Sequence, residues 1–128
     1  MGAKGRWRTL VKESGIRTPN KGDLVCLDLG DSADGEVGKR RPVLVLSETA
    51  FNRYRELCIV APFSTSQYGD ATEVQLPGNL EIKGAVMCEH VHTVNWRLRK
   101  AERIGRAPPR VVEDVLDRVA LILGIERK

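Results

Sequence analysis

The stretch Gly38-Lys39-Arg40-Arg41-Pro42-Val43-Leu44-Val45-Leu46 puts three consecutive cations directly before an apolar run. Pro42 fixes its own φ and disfavours a helical conformation at Arg41, so the chain enters the apolar run extended. That run is short and apolar, which is typical of a buried strand. Arg41 is therefore held at the start of a strand, where its planar set of donors can bind a phosphate group. A rim of solvated charge is the alternative interpretation of the same cations.

Further apolar runs, separated by turn residues, lie on both sides of this stretch. They predict strands at residues 24–29, 43–47, 57–63, 72–76 and 85–91. A loop rich in Gly and Asp at 31–38 joins the first two strands, and residues 49–54 can form one helical turn. Several short strands within so few residues indicate a small barrel or a strongly coiled sheet.

The C-terminal segment has the periodicity of an amphipathic helix. Pro108 and Pro109 precede it and Gly124 follows it, and these residue types are typical of the start and end of a helix. Its apolar side chains at helical spacing are Val111, Val112, Val115, Leu116, Val119, Ile122 and Leu123. We therefore predict a mainly β (α+β) domain of five to seven short strands with a C-terminal amphipathic helix.

The charge of the chain is unevenly distributed. The first 20 residues contain five cations and one carboxylate, which accounts for the whole net charge of +4. Residues 1–20 are therefore predicted to be a flexible basic arm, and residues 21–128 to be one folded domain. Since that domain is neutral overall, its affinity for nucleic acid must come from local clusters at 39–41 and 97–110.

Cysteine usage indicates a reducing compartment. Cys26, Cys58 and Cys88 are odd in number, far apart and each within an apolar run, so we expect buried thiols. The first residues contain no apolar segment of the length of a signal peptide or a membrane span. We expect a cytoplasmic protein that makes no contact with a membrane.

Three hydroxyl side chains, Ser64, Thr65 and Ser66, follow the third predicted strand. Hydroxyls bind phosphate oxygens, but they also cap loops, so turn residues are the alternative interpretation. A serine nucleophile would need a base beside it, and the sequence contains no Gly-x-Ser-x-Gly turn to hold one.

Cys88, His90 and His92 occupy alternate positions of the fifth predicted strand, so we expect all three on one face. Zinc ligation is one interpretation, but neither Cys26 nor Cys58 has a recognisable ligand spacing, and we predict no metal site. The two histidines could instead donate and accept protons near neutral pH. Hydrogen-bonded residues at the rim are the alternative.

The segment Trp96-Arg97-Leu98-Arg99-Lys100 combines an aromatic residue with alternating cations. Such a segment can grip a nucleic-acid backbone and stack a base on the indole ring. Alternating cations on an exposed edge strand also protect against aggregation, and that alternative stays open.

Taken in order, these segments resemble the MazF/PemK (Kid-like) toxins of type II toxin-antitoxin modules, from Lys21 to about Ile125. The segments that carry the resemblance are Lys21-Gly22-Asp23-Leu24-Val25, residues 38–47, Ala50-Phe51-Asn52, residues 60–66, Thr72-Glu73-Val74 and residues 84–93. The resemblance implies a small SH3-like β-barrel that forms a homodimer. It also implies cleavage of single-stranded RNA without a metal or other cofactor, by attack of the ribose 2′-hydroxyl on the adjacent phosphate.

The same resemblance implies a partner and a set of site residues. The partner is an antitoxin whose acidic, disordered C-terminal segment occupies the RNA groove. The family's catalytic Arg falls on Arg41 and its hydroxyl residue on Ser64, with Thr65 adjacent. Many members have Gln-x-Arg-Thr-x-Asp where this chain has residues 90–95, so His92 or His90 is expected to substitute in proton transfer or binding. The residues expected to contact RNA are Lys39, Arg40, Ser66, Glu73, His90, Asn95, Trp96 and Arg97.

Two rival functions remain open at this point. Relatives of the same fold poison DNA gyrase by binding alone, mainly through the end of their C-terminal helix, whereas the tail here, residues 124–128, is short and charged. A degenerate member that binds RNA without cutting it is the other rival, because of the departures at His92 and Asn95. The combination of Arg41 with Ser64 favours the nuclease.

Overall fold

A computed structural model describes residues 17–28, 40–65, 69–80 and 82–127 of the chain. Its strands are β1 (Asp23–Asp28), β2 (Arg40–Val45), β3 (Leu57–Ser64), β4 (Glu73–Gln75), β5 (Ala85–Met87), β6 (His92–Asn95) and β7 (Glu102–Arg106). Its helices are α1 (Thr49–Arg55), a single 3₁₀ turn at Cys88–His90, and α2 (Pro109–Leu123). Within the described ranges, no helix is both long and apolar enough to cross a membrane.

All strands belong to one antiparallel sheet with the order β4-β5-β3-β2-β1-β7, and β6 also pairs with β3. On one side of β3, its first half pairs with β6 and its last two residues pair with β5. On the other side, β3 pairs with β2. The prediction of a mainly β domain with five to seven strands and a C-terminal helix is confirmed. In the part of the chain that the structure describes, β4 and β7 stand at the two ends of the order, so the sheet is not closed into a barrel.

Each face of the sheet carries its own apolar cluster, because side chains alternate between faces along a strand. Leu44 and Ala61 lie on the face that α2 covers, in a cluster that also contains Val115. Val43 and Val60 lie on the opposite face, in a cluster that contains the indole of Trp96. The sheet is therefore covered on both sides, and its central strands read as apolar at almost every position.

Helix α2 begins and ends where the sequence predicts. Pro109 is its first residue, and Gly124 ends it in a left-handed conformation with φ 74°, which glycine adopts without strain. Val111, Val112 and Val115 are buried against the sheet, as expected. Leu123, at the last turn, is 65 % exposed, so the apolar stripe extends beyond the surface that the sheet covers.

One local prediction is wrong and one alternative interpretation does not hold. The predicted strand at 85–91 is interrupted by the 3₁₀ turn, which breaks the alternation of side chains, so Cys88 is buried while His90 and His92 are exposed. The basic segment at 96–100 is a turn and not an edge strand. Asn95 causes this, since its Oδ1 accepts a hydrogen bond from the backbone N–H of Leu98 at 2.9 Å.

The folded region extends into the segment predicted as an arm. Thr18 and Pro19 are buried, and the Pro19 carbonyl accepts a hydrogen bond from Asn52 Nδ2 at 2.9 Å. Asn52 itself is fully buried in α1, where its side chain also binds Ser47. These contacts fix the start of the domain beside the sheet.

Candidate functional site

A cavity of about 720 Å³ lies where the end of β1, the start of β2, the end of β3 and strand β6 converge. Its volume is in the range of small-molecule and substrate sites. The polar side chains that line it include Arg41, Thr65, Lys83, His92, Asn95 and Arg99. The structure therefore brings together three of the four predicted catalytic residues, Arg41, Thr65 and His92, in one cavity.

Arg41 reaches this cavity because of its register in the sheet. It pairs with Leu27 of β1, and the β2–β3 register joins Val43 to Pro62. The pairing of β2 with β3 ends at Val43 and Pro62, and Ser64 is not among the residues that line the cavity. The hydroxyl residue that shares the cavity with Arg41 is Thr65.

Arg40 lies on the other face, as expected for the neighbour of Arg41 in a strand. Its Nη2 donates to the carbonyls of Cys26 at 3.0 Å and Lys100 at 2.8 Å, and lies 3.8 Å from Glu102 Oε1. These contacts fasten β2 to the β1–β7 edge of the sheet. Arg40 is not among the residues that line the cavity.

Ser64 and Thr65 mark the end of β3. Ser64 pairs with Ala85 of β5, and Thr65, just after the strand, is exposed and lines the cavity. The backbone of β3 passes very close to Gly84 here, and Gly84 has φ +120°. Glycine is needed at that position because an added Cβ would collide with the Ser64 carbonyl. Ser66 and Lys39 lie outside the described residues.

His92 opens β6 and is exposed at the cavity. Its Nδ1 lies 2.9 Å from the backbone carbonyl of His90. The side chain of His90 does not line the cavity, and its Nε2 lies 3.8 Å from Glu89 Oε2. The two histidines therefore occupy different environments.

The cavity is positively charged although the domain is close to neutral. Among the described residues, Arg41, Lys83 and Arg99 line it, against one carboxylate, that of Asp28. Lys83 and Asp28 were missed by the sequence analysis. Neither belongs to a motif, and only the packing of loops around the strand ends brings them to the cavity.

Three of the residues predicted to contact RNA have structural roles elsewhere. Trp96 is 1 % exposed and its Nε1 donates to the Asn52 carbonyl at 2.8 Å, so the prediction that it stacks a base is wrong. Glu73 is buried and accepts a hydrogen bond from the Gly69 N–H at 3.0 Å. Arg97 donates from Nε to Glu56 Oε2 at 2.7 Å and stacks on the back of the Trp96 ring, with its Cζ 5.1 Å from the centroid.

The cysteines have no role in this cavity. Burial raises the pKa of the Cys58 thiol to about 12 and that of Cys88 to about 11, so both are protonated at neutral pH. Within the described ranges, no three His, Cys, Asp or Glu side chains are grouped closely enough to hold a metal ion.

An antiparallel sheet with a C-terminal helix and a cationic cavity at its strand ends defines a small, mainly β protein whose cavity suits an anionic group. A family model described as "PemK-like, MazF-like toxin of type II toxin-antitoxin system" matches residues 20–123. The chain belongs to this family.

Individual relatives agree with this assignment. The chain is 32 % identical over 120 residues to the endoribonuclease toxin ChpB of Escherichia coli K12, covering 89 % of this chain and 99 % of the relative. It is 28 % identical over 106 residues to the endoribonuclease toxin MazF of the same strain, and the match covers 83 % of this chain and 95 % of the relative. Among solved structures, MazF of Deinococcus radiodurans is 35 % identical, with a TM-score of 0.76 and coverage of 86 % of this chain and 100 % of that one. The MazE-MazF structure from that organism is 33 % identical in sequence, with a TM-score of 0.77, and the match covers 87 % of this chain and 100 % of that one.

Proposed function

We propose that this chain is the endoribonuclease toxin of a type II toxin-antitoxin module and that it cleaves single-stranded RNA in the cationic cavity. The observation that carries the proposal is the position of Arg41, which lines the cavity together with the hydroxyl residue Thr65. The relatives named endoribonuclease support the same activity. The protein would act in the cytoplasm, in keeping with its free thiols.

The reaction we propose is attack of a ribose 2′-hydroxyl on the adjacent phosphate. This attack gives a 2′,3′-cyclic phosphate and a free 5′-hydroxyl. The guanidinium of Arg41 stabilises the charge that develops on the phosphate oxygens in the transition state, the task that a preformed set of donors performs best. Ser64 or Thr65 positions one of those oxygens through its hydroxyl. The chemistry assigned to Arg41 requires no metal or other cofactor.

The protein partners we propose are an antitoxin and a second copy of the chain. An antitoxin with an acidic segment would place carboxylates in the cavity, where Arg41, Lys83 and Arg99 supply positive charge. The MazE-MazF structure of the Deinococcus relative supports such a complex. A second copy of the chain could pack against the exposed apolar side chains at the end of α2. These side chains are Leu121, Ile122, Leu123 and Ile125.

The test is to incubate the purified protein with long single-stranded RNA in the presence of EDTA and to map the new 5′ ends. We expect discrete cuts that disappear, or slow by about 10²–10³, in Arg41→Ala, because one preorganised electrostatic contact is lost. The matched control is Arg55→Ala, since Arg55 is exposed at the end of α1 and away from the cavity. Wild-type turnover in Arg41→Ala would contradict the assignment of Arg41. RNA that stays intact with the wild-type protein would contradict the nuclease and favour a toxin that only binds.

A further inference from the structure

Cleavage by a 2′-hydroxyl needs a group that takes the hydroxyl proton, and Arg41 is a poor candidate because guanidinium does not deprotonate in proteins. We propose that the group is the His92 imidazole, acting from Nε2 as the general base. This inference rests on the proposed endoribonuclease function. It gives His92, one of the predicted catalytic residues, the specific role of general base.

The position of His92 in the sheet supports this role. His92 pairs with Val60 of β3, and Val60 pairs with Val45 of β2, so the three residues form one row across the sheet. Arg41 lies on the same face of β2 as Val45, four residues earlier in that strand. Arg41 and His92 both line the same cavity.

The tautomer of the His92 ring also suits a general base. A backbone carbonyl can only accept a hydrogen bond, so the 2.9 Å contact between His92 Nδ1 and the His90 carbonyl requires the hydrogen on Nδ1. In the neutral ring, Nε2 then carries the lone pair. The carbonyl also faces the positive charge that the ring acquires when Nε2 takes up a proton, and it stabilises the imidazolium. The His90 backbone thus holds His92 in the form that a base requires.

Other titratable groups near the cavity are less suited to the role of general base. The His90 imidazole lies beside Glu89 and outside the cavity lining, so its side chain is not placed for the same task. The charged groups that face the cavity together with His92 are Asp28, Arg41, Lys83 and Arg99. Among these described residues, the carboxylate of Asp28 is the other group that could act as a base. The His92→Gln variant separates the two candidates, because it removes the imidazole and leaves Asp28 in place.

The chemical step balances with water as the only additional reactant. The 2′-hydroxyl proton moves to His92 Nε2, O2′ forms a bond to phosphorus, and the bond between phosphorus and O5′ breaks. The leaving O5′ takes a proton from water, and the hydroxide so formed takes the proton from the imidazolium. The products are the cyclic phosphate and the free 5′-hydroxyl, and His92 returns to its starting state.

The test is the pH dependence of kcat/KM between pH 5 and 9, on one RNA oligonucleotide that contains a mapped cleavage site. In the wild type we expect an ascending limb as imidazole loses its proton. In His92→Gln we expect kcat/KM to fall by about 10² or more and the ascending limb to disappear. His90→Gln keeps the backbone carbonyl and is expected to retain the limb. Circular dichroism of both variants establishes that they fold.

The outcomes separate this inference from the proposed function. If the wild type cleaves and folded His92→Gln keeps the ascending limb, His92 is not the base. If the ascending limb is lost in His90→Gln but not in His92→Gln, then His90 is the base and the proposal is wrong. If kcat/KM falls only through a higher KM while the limb remains, His92 binds RNA and the proposal is wrong. Absence of cleavage by the wild type would contradict the endoribonuclease function itself, and the inference with it.

Discussion

The indole N–H of Trp96 donates a hydrogen bond of 2.8 Å to the backbone carbonyl of Asn52. This contact joins the turn after β6 to helix α1, which are 44 positions apart in the sequence. The turn at 96–100 supplies two side chains of the cavity wall, Leu98 and Arg99. A buried tryptophan therefore supports the site from behind, and its contribution to function is to hold that wall in place.

The Asn52 side chain is the centre of a buried polar network, and its removal should destabilise the domain. Its Nδ2 donates to the Pro19 and Ser47 carbonyls, at 2.9 and 3.2 Å. Asn52→Ala leaves these buried acceptors without a partner, so we expect the free energy of unfolding to fall by about 2–3 kcal/mol. Urea unfolding measures it, with Asn79→Ala as control, because Asn79 is exposed. Equal effects of the two substitutions would contradict this role for Asn52.

Gly84 should tolerate no side chain, since it lies against the Ser64 backbone with φ +120°. We expect Gly84→Ala to lower the free energy of unfolding by more than about 2 kcal/mol and to reduce RNA cleavage, because Ser64 must shift. Gly78→Ala is the matched control, since an added Cβ at Gly78 meets no atom within 4 Å. Thermal unfolding and the cleavage assay follow both variants, and a Gly84→Ala protein as stable as Gly78→Ala would refute the close approach.

The identity of the nucleophile can be tested on the substrate alone. An RNA oligonucleotide with a single 2′-deoxynucleotide on the 5′ side of the cut should not be cleaved at that position, because it lacks the attacking hydroxyl. A 2′-deoxynucleotide two positions away serves as the control and should be cut normally. Cleavage of the first oligonucleotide at an unchanged rate would show that water, and not the ribose, attacks the phosphate.

Two thiols should resist alkylation in the folded protein. Burial raises the pKa of Cys58 to about 12 and of Cys88 to about 11, so very little thiolate is present at pH 8.5. We expect iodoacetamide to modify the half-buried Cys26 first, and all three cysteines only in urea, as mass spectrometry can establish. Rapid modification of Cys58 in the native protein would contradict its burial.

The same shifts predict a loss of stability at alkaline pH. Since the folded-state pKa values lie above the ordinary value of 9.0, the unfolded chain releases these protons first as the pH rises. The free energy of unfolding should therefore be unaffected by the thiols below pH 9 and should fall above it, by up to about 1.4 kcal/mol per pH unit for each thiol. Cys58→Ala should show a smaller fall between pH 9 and 11 than the wild type.

Local chemistry made several elements predictable. Pro42 predicted the extended backbone at Arg41, although β2 begins at Arg40 and not at Val43. Pro109 and Gly124 bounded α2 as predicted. The failures occurred where the packing of the core overrode a local pattern. Alternation predicted one face for Cys88, His90 and His92, but a 3₁₀ turn buries Cys88 in the core.

The sequence by itself determined the fold class, the family and the central cation, because each depends on residues close together in the chain. Strand periodicity, the proline at the entrance of β2 and the order of the motifs are all local properties. Only the tertiary structure decided which polar residues meet. Trp96 was buried by a partner 44 residues away, and Arg40 was turned to the carbonyls of Cys26 and Lys100 and does not line the cavity that Arg41 lines. Of the two histidines, His92 lines the cavity and His90 does not. Strand register and loop packing set these juxtapositions, and both depend on contacts between segments that are remote in sequence.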